Sequence, residues 1–174
     1  MDYTEYTEKF NKSARTGFFQ IIMEAEMQRK FASGTRPKFE GKHADLSERI
    51  LNIFFTVHRE LGYGFSEKVY ERSLAIALRE AGFKVEEQIP LKVFYHGQMV
   101  GEYITDMMIN NLILLELKAA TQIAAEHEAQ LLSYLKASDI EVGYVLNFGQ
   151  SATFKRRVFD NERKGAMNWT ENRA

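Results

Sequence analysis

Residues 112–118, Leu112-Ile113-Leu114-Leu115-Glu116-Leu117-Lys118, set an unbroken apolar run directly before two charges separated by one leucine. A short run that is apolar at every position reads as a central strand buried on both faces. On an extended chain Glu116 and Lys118 project to one face and Leu117 to the other. Two charges at the end of a buried strand are costly unless they pair or bind a metal ion. Taken alone, the segment is satisfied by an internal Glu–Lys ion pair or by a strand end emerging into water.

Asp106 adds a second carboxylate. It sits in Tyr103-Ile104-Thr105-Asp106-Met107-Met108-Ile109, a strand-like stretch in which aspartate is a poor former. The Asn110-Asn111 turn that follows folds it back beside Glu116. Two neighbouring carboxylates repel and favour a bound cation, and oxygen ligands select a hard ion such as Mg²⁺ or Mn²⁺. Register decides whether they meet. If Asn110-Asn111 is a strict two-residue loop, Ile109 faces Leu112, Asp106 faces Leu115, and Asp106 and Glu116 point to opposite faces. Convergence requires an odd-length loop or a bulge.

Two helices are expected before these strands. Asp45 and Glu48 make an N-capping pattern, and Leu46, Ile50, Ile53, Phe54, Val57 and Leu61 form an apolar stripe ended by Gly62. Ser66 begins the next, with Tyr70, Leu74, Ala77, Leu78 and Ala81 as its buried face. Phe83 and Val85, then Leu91, Val93 and Tyr95 after Pro90, alternate as strands, with a turn at His96-Gly97. A third helix is expected over about 124–137, then a buried strand at 142–146 and a more polar one at 154–159.

The 174 residues suit one core, and 45% hydrophobic with 27% charged residues marks a globular chain. No cysteine is present, which excludes disulfides and thiolate metal sites. No apolar run reaches the roughly 18 residues of a membrane span. The start, MDYTEYTEKF, lacks the basic end and apolar stretch of a signal peptide, so a cytoplasmic protein is expected. The net charge of -1 means that nucleic-acid contact must come from a local patch rather than the overall field.

Further candidates are less specific. Glu67 and Glu71 lie one helical turn apart and can share a pocket, though an acid in a first turn also suits the helix dipole. His127, Gln130 and Tyr134 share a helix face. Lys155, Arg156 and Arg157 form the strongest basic cluster and suit phosphates, or merely a solvated strand edge.

Gly64-Phe65-Ser66-Glu67-Lys68-Val69-Tyr70 spells G-x-x-E-x-x-Y. Val57-His58-Arg59-Glu60-Leu61-Gly62 precedes it. Asp106, Glu116-x-Lys118 and Glu128-Ala129-Gln130-Leu131-Leu132-Ser133-Tyr134 follow. On these ordered motifs, over residues 45–159, the chain resembles the GxxExxY protein family, grouped with the PD-(D/E)XK nuclease superfamily. The resemblance implies an α/β (α+β) fold with a restriction-endonuclease-like core, a mixed central sheet flanked by helices. It implies a Mg-dependent (or Mn-dependent) nuclease acting on DNA or RNA, or else an inactive relative that binds nucleic acid or protein. Asp106, Glu116, the carbonyl of Leu117 and Glu67 would hold the metal. Lys118 would orient or deprotonate the attacking water and stabilise phosphate charge. Gln130 and Tyr134 look like a Q-x-x-x-Y element that arranges the site and the strand, with Lys155 and Arg156 as further nucleic-acid contacts. The family's leading proline is missing, since Thr105 precedes Asp106. Residues 43–160 would form the nuclease-like domain. Residues 1–42 would be an extension of one helix (Phe18, Ile21, Ile22, Ala25) and a linker, serving a protein partner or homo-oligomer, and residues 161–174 a tail.

Overall fold

The structure, a computed structural model, describes residues 41–165. The helix and linker expected before residue 41 lie outside the described residues, as does the end of the tail. The described chain runs α1 (Ala44–Leu61), α2 (Glu67–Glu80), β1 (Val85–Tyr95), β2 (Gln98–Ile109), β3 (Ile113–Lys118), α3 (Ala125–Ala137), β4 (Val142–Phe148), β5 (Ala152–Val158) and a short 3-10 helix, Asn161–Lys164. The strands form one mixed sheet in the order β1-β2-β3-β4-β5, parallel between β3 and β4 and antiparallel elsewhere. This is the α+β arrangement, a mixed sheet flanked by helices, that the motifs imply.

The parallel β3–β4 pair needs a crossover, and α3 supplies it. β3 and β4 are buried almost throughout, as their continuous apolar runs require. On one sheet face Leu131, Tyr134 and Leu135 of α3 pack with Leu114 and Val145. A side chain at Gly143 would meet Leu131 Cδ1 at 2.6 Å, so glycine sets how closely α3 approaches β4. On the other face Phe148 receives Phe54 of α1 edge-on at 4.8 Å and Tyr70 of α2 stacked at 4.5 Å. Burying each such ring contributes about 1.5–3 kcal/mol.

α1 begins at Ala44, two residues earlier than the Asp45 cap predicts. His43 stands at the N-cap with φ 57 and no side-chain cap bond. Leu51 and Phe55 join its buried face, while Leu46, Ile53 and Leu61 are half-buried. Pro90 does not divide β1. The strand is continuous because it is the sheet edge, where a missing N–H costs no ladder bond on the open side. Past Val158, the segment expected as a tail folds the Lys164 ammonium onto the carbonyls of Ser138 and Ile140, at 2.9 and 2.7 Å.

The β2–β3 turn fixes the register. The Leu112 amide donates to the Ile109 carbonyl at 2.9 Å, over Asn110 and Asn111, both left-handed at φ 53 and 57. The ladder nevertheless pairs Ile109 with Ile113, Met108 with Leu114 and Met107 with Leu115. Leu112 is therefore an extra residue, and one step further along this register sets Asp106 across from Glu116 on one face.

Candidate active site

The buried run Ile113–Leu117 carries Glu116 into the protein, where the residue is 1% exposed. Its Oε1 accepts from Lys118 Nζ at 2.5 Å. Its Oε2 is buried and has no hydrogen-bond partner. Asp106 is half-buried, and its Oδ2 accepts from the Leu117 amide at 2.7 Å. On an extended strand the amide and carbonyl of one residue point the same way, so the Leu117 carbonyl also faces the β2 side.

The charges work against one another. Burial, then the Asp106 charge, push the Glu116 carboxyl up to about 7, with Lys118 opposing. Asp106 is also raised, chiefly by burial, with the charges of Glu71 and Glu67 adding to it and the Leu117 amide opposing. Burial works against the Lys118 ammonium, but the hydrogen bond and charge of Glu116, with the charges of Glu67 and Asp106, hold it above lysine's ordinary value. The group as a whole carries an excess of negative charge.

Glu67 opens α2 and is exposed. It is near enough for its charge to act on Asp106, Glu116 and Lys118, at the rim of the group. The loop before it is held by Tyr70, whose hydroxyl donates to the Gly62 carbonyl at 2.8 Å and accepts from the Phe65 amide at 3.2 Å. Gly64, at φ 109, makes a turn that side chains rarely allow. Glu71 is buried. Its Oε1 accepts from Lys68 Nζ at 2.7 Å and from Gln88 Nε2 at 3.0 Å. Gln88 is left-handed at φ 54 in β1, between the pairs Glu87–Met107 and Ile89–Thr105, and so stands opposite Asp106. No feature of the sequence marks Gln88.

From α3, Gln130 Nε2 donates to the Tyr134 hydroxyl at 2.5 Å. Burial chiefly raises the Tyr134 phenol, and Glu116, Asp106 and Lys118 all act on it, so it adjoins the group. His127 Nδ1 accepts from the Ala124 amide at 3.2 Å and caps the helix start, a structural use of this histidine. Lys155 pairs across the sheet with Val145, which itself pairs with Glu116, so it lies in the same cross-strand row. Arg156 falls on the opposite face and is not brought to the group. Its Nε donates to the Tyr144 hydroxyl at 3.1 Å and its Nη2 to the Lys42 carbonyl at 3.1 Å. Arg157 pairs with Glu128.

Among the described residues no three His, Cys, Asp or Glu side chains are arranged to hold a metal ion. The donor set still fits a hard cation. Mg²⁺ commonly takes one or two carboxylates and keeps several waters. Glu116 Oε2 is a buried acceptor in want of a partner, and main-chain oxygen lies on the same side.

The family model of the PD-(D/E)XK nuclease superfamily matches residues 44–158. Among solved structures, the crystal structure of SSO0001 is similar at 15% identity and a TM-score of 0.45, covering 82% of this chain and 80% of that one. No curated protein matches the chain. Among the described residues no helix is long and apolar enough to cross a membrane.

Proposed function

Because the chain belongs to the PD-(D/E)XK nuclease superfamily, we propose that it is a divalent-metal-dependent nuclease hydrolysing phosphodiester bonds in nucleic acid, with its centre at Asp106, Glu116 and Lys118. The observation that carries this reading is the buried Glu116 carboxylate, one oxygen held by Lys118 and the other without a donor. Asp106, Glu116 and the Leu117 carbonyl, with Glu67 directly or through water, would hold Mg²⁺ or Mn²⁺. Such an ion supplies Lewis acidity and a more acidic water.

The chain's own groups do the rest. Lys118 stays protonated, which suits a point charge on the phosphate oxygens better than a base. Gln130 donates to the Tyr134 hydroxyl, and the two would meet the strand to be cut. Tyr70 fixes the loop that delivers Glu67, which gives the G-x-x-E-x-x-Y element a physical meaning and supports membership of the GxxExxY family. Lys155, in the cross-strand row of Glu116, would meet a phosphate, and the extension over residues 1–42 would serve a protein partner or a second copy.

The test is cleavage of single- and double-stranded DNA and RNA with Mg²⁺ or Mn²⁺, against a chelator and Asp106→Asn. Metal-dependent cutting lost in the variant is the expected result. No cutting of any substrate would leave the second reading, a relative that binds nucleic acid without cutting it. The closed Glu116–Lys118 pair favours that alternative.

A further inference from the structure

β2 pairs with β3 only over Met107–Ile109, so residues 89–105 run on as a two-stranded ribbon past the site. Several apolar side chains of the ribbon are exposed, Met99, Val100 and Ile104 among them. Tyr95 is 67% exposed and Tyr103 39% exposed. Register gives the two tyrosines one face. Leu91 pairs with Tyr103, Val93 with Gly101 and Tyr95 with Gln98, while the irregularity at Val93/Phe94 falls on β2 and leaves the alternation along β1 intact. That face turns toward α3, because Leu91 packs on the Leu131–Tyr134 cluster. The Tyr103 ring lies 5.6 Å from that of Tyr134, which is near enough to Glu116 and Asp106 for their charges to act on it. An apolar path thus leaves the carboxylates through Tyr134 and Tyr103, crosses the bare backbone of Gly101, and reaches Tyr95. The four residue steps from Leu91 to Tyr95 span about 13 Å.

Resting on the nuclease reading above, we propose that this ribbon face is the platform for a single-stranded nucleic acid, whose unstacked bases lie on Tyr103 and Tyr95 as the strand enters the site. Two features favour a single strand over a duplex. The surface continuous with the site presents exposed aromatic and apolar side chains, which suit bases that a duplex hides. A duplex grip needs several phosphate contacts, and two members of the basic cluster over residues 155–157 are engaged in the fold: Arg156 by Tyr144 and Lys42, and Arg157 by Glu128. Self-association of the ribbon is the competing use of an exposed apolar edge.

The experiment uses the full chain. Fluorescence anisotropy in chelator follows binding of a labelled single-stranded oligonucleotide and of the same sequence as a hairpin duplex. Cleavage of both is then followed with Mn²⁺. The single strand should bind and be cut in preference. Tyr95→Ala and Tyr103→Ala should each weaken its binding by roughly tenfold, the loss of one stacked base. Tyr103→Phe, which keeps the ring, should bind as the parent does. Equal or better binding of duplex, parental binding by both alanine variants, or a dimer dispersed by Tyr95→Ala with no strand bound would each overturn the proposal. Tyrosine-dependent strand binding without cleavage by any metal would sink the nuclease reading alone and leave the platform standing.

Discussion

The Asp106 carboxylate caps the Leu117 amide at 2.7 Å, which ties the end of the β2–β3 ladder together and faces a negative group toward Glu116. Asp106→Asn keeps an acceptor for that amide and removes the charge. Its stability should stay within about 1 kcal/mol of the parent, while Mn²⁺ binding followed by calorimetry disappears. Parental metal affinity in this variant would remove Asp106 from the donor set.

Deleting Leu112 tests the register itself. The sequence shows Asn110-Asn111 as a turn, and a strict two-residue loop parts the two carboxylates. The extra residue that joins them is an ordinary leucine, with nothing in its chemistry to announce a bulge. The deletion should restore the two-residue turn, send Asp106 to the face opposite Glu116, and abolish cleavage and metal binding while a folded sheet remains by circular dichroism. A deletion variant that still cuts would contradict the geometry.

Tyr70→Phe keeps the ring stacked on Phe148 and removes only the hydroxyl that joins Gly62 to Phe65. Two groups lose a partner, at a cost of about 1–3 kcal/mol in denaturant unfolding. If the hydroxyl holds Glu67 in place, kcat should fall more than KM rises. A stability loss with unchanged kcat would make Tyr70 structural only.

Periodicity exposed the helices, the order of strands and the candidate residues Asp106, Glu116 and Lys118, because burial imposes it. It also had the means to separate Lys155 from Arg156, since neighbours on a strand face opposite ways. The left-handed Gln88 and the Tyr103–Tyr134 contact were illegible, because each depends on how distant segments pack.

The metal-free protein should lose stability as pH rises through the Glu116 titration. The folded carboxyl titrates at about 7 and the unfolded one near 4.5, so the native state holds the proton more tightly. The stabilisation is complete below about 4.5 and is lost as pH rises through about 7. Between pH 5 and 8 the parent should lose on the order of 1–3 kcal/mol more than Glu116→Gln. Identical pH profiles for the two, by chemical unfolding in chelator, would show that Glu116 is ionised throughout.

Lys118→Ala separates catalysis from packing. The ammonium pairs with a carboxylate that is buried and whose pKa is raised, so the partner left behind can take up a proton in place of the lysine. In chelator the variant should melt close to the parent at pH 5, where Glu116 is neutral. It should be destabilised at pH 8, by up to about 3–5 kcal/mol for an ionised group left buried and unpaired. Saturating Mn²⁺ should recover most of that loss, since binding to the native state alone raises stability by mass action. Cleavage should not recover. The charge beside the phosphate oxygens matters most as negative charge develops there, and removing one preorganised group of this kind costs about 100- to 1000-fold in kcat. Melting and cleavage measured on the same preparations at both pH values distinguish the roles. Loss of stability with kcat intact once metal is bound would make Lys118 a structural counter-ion and leave the proposed chemistry without its cation.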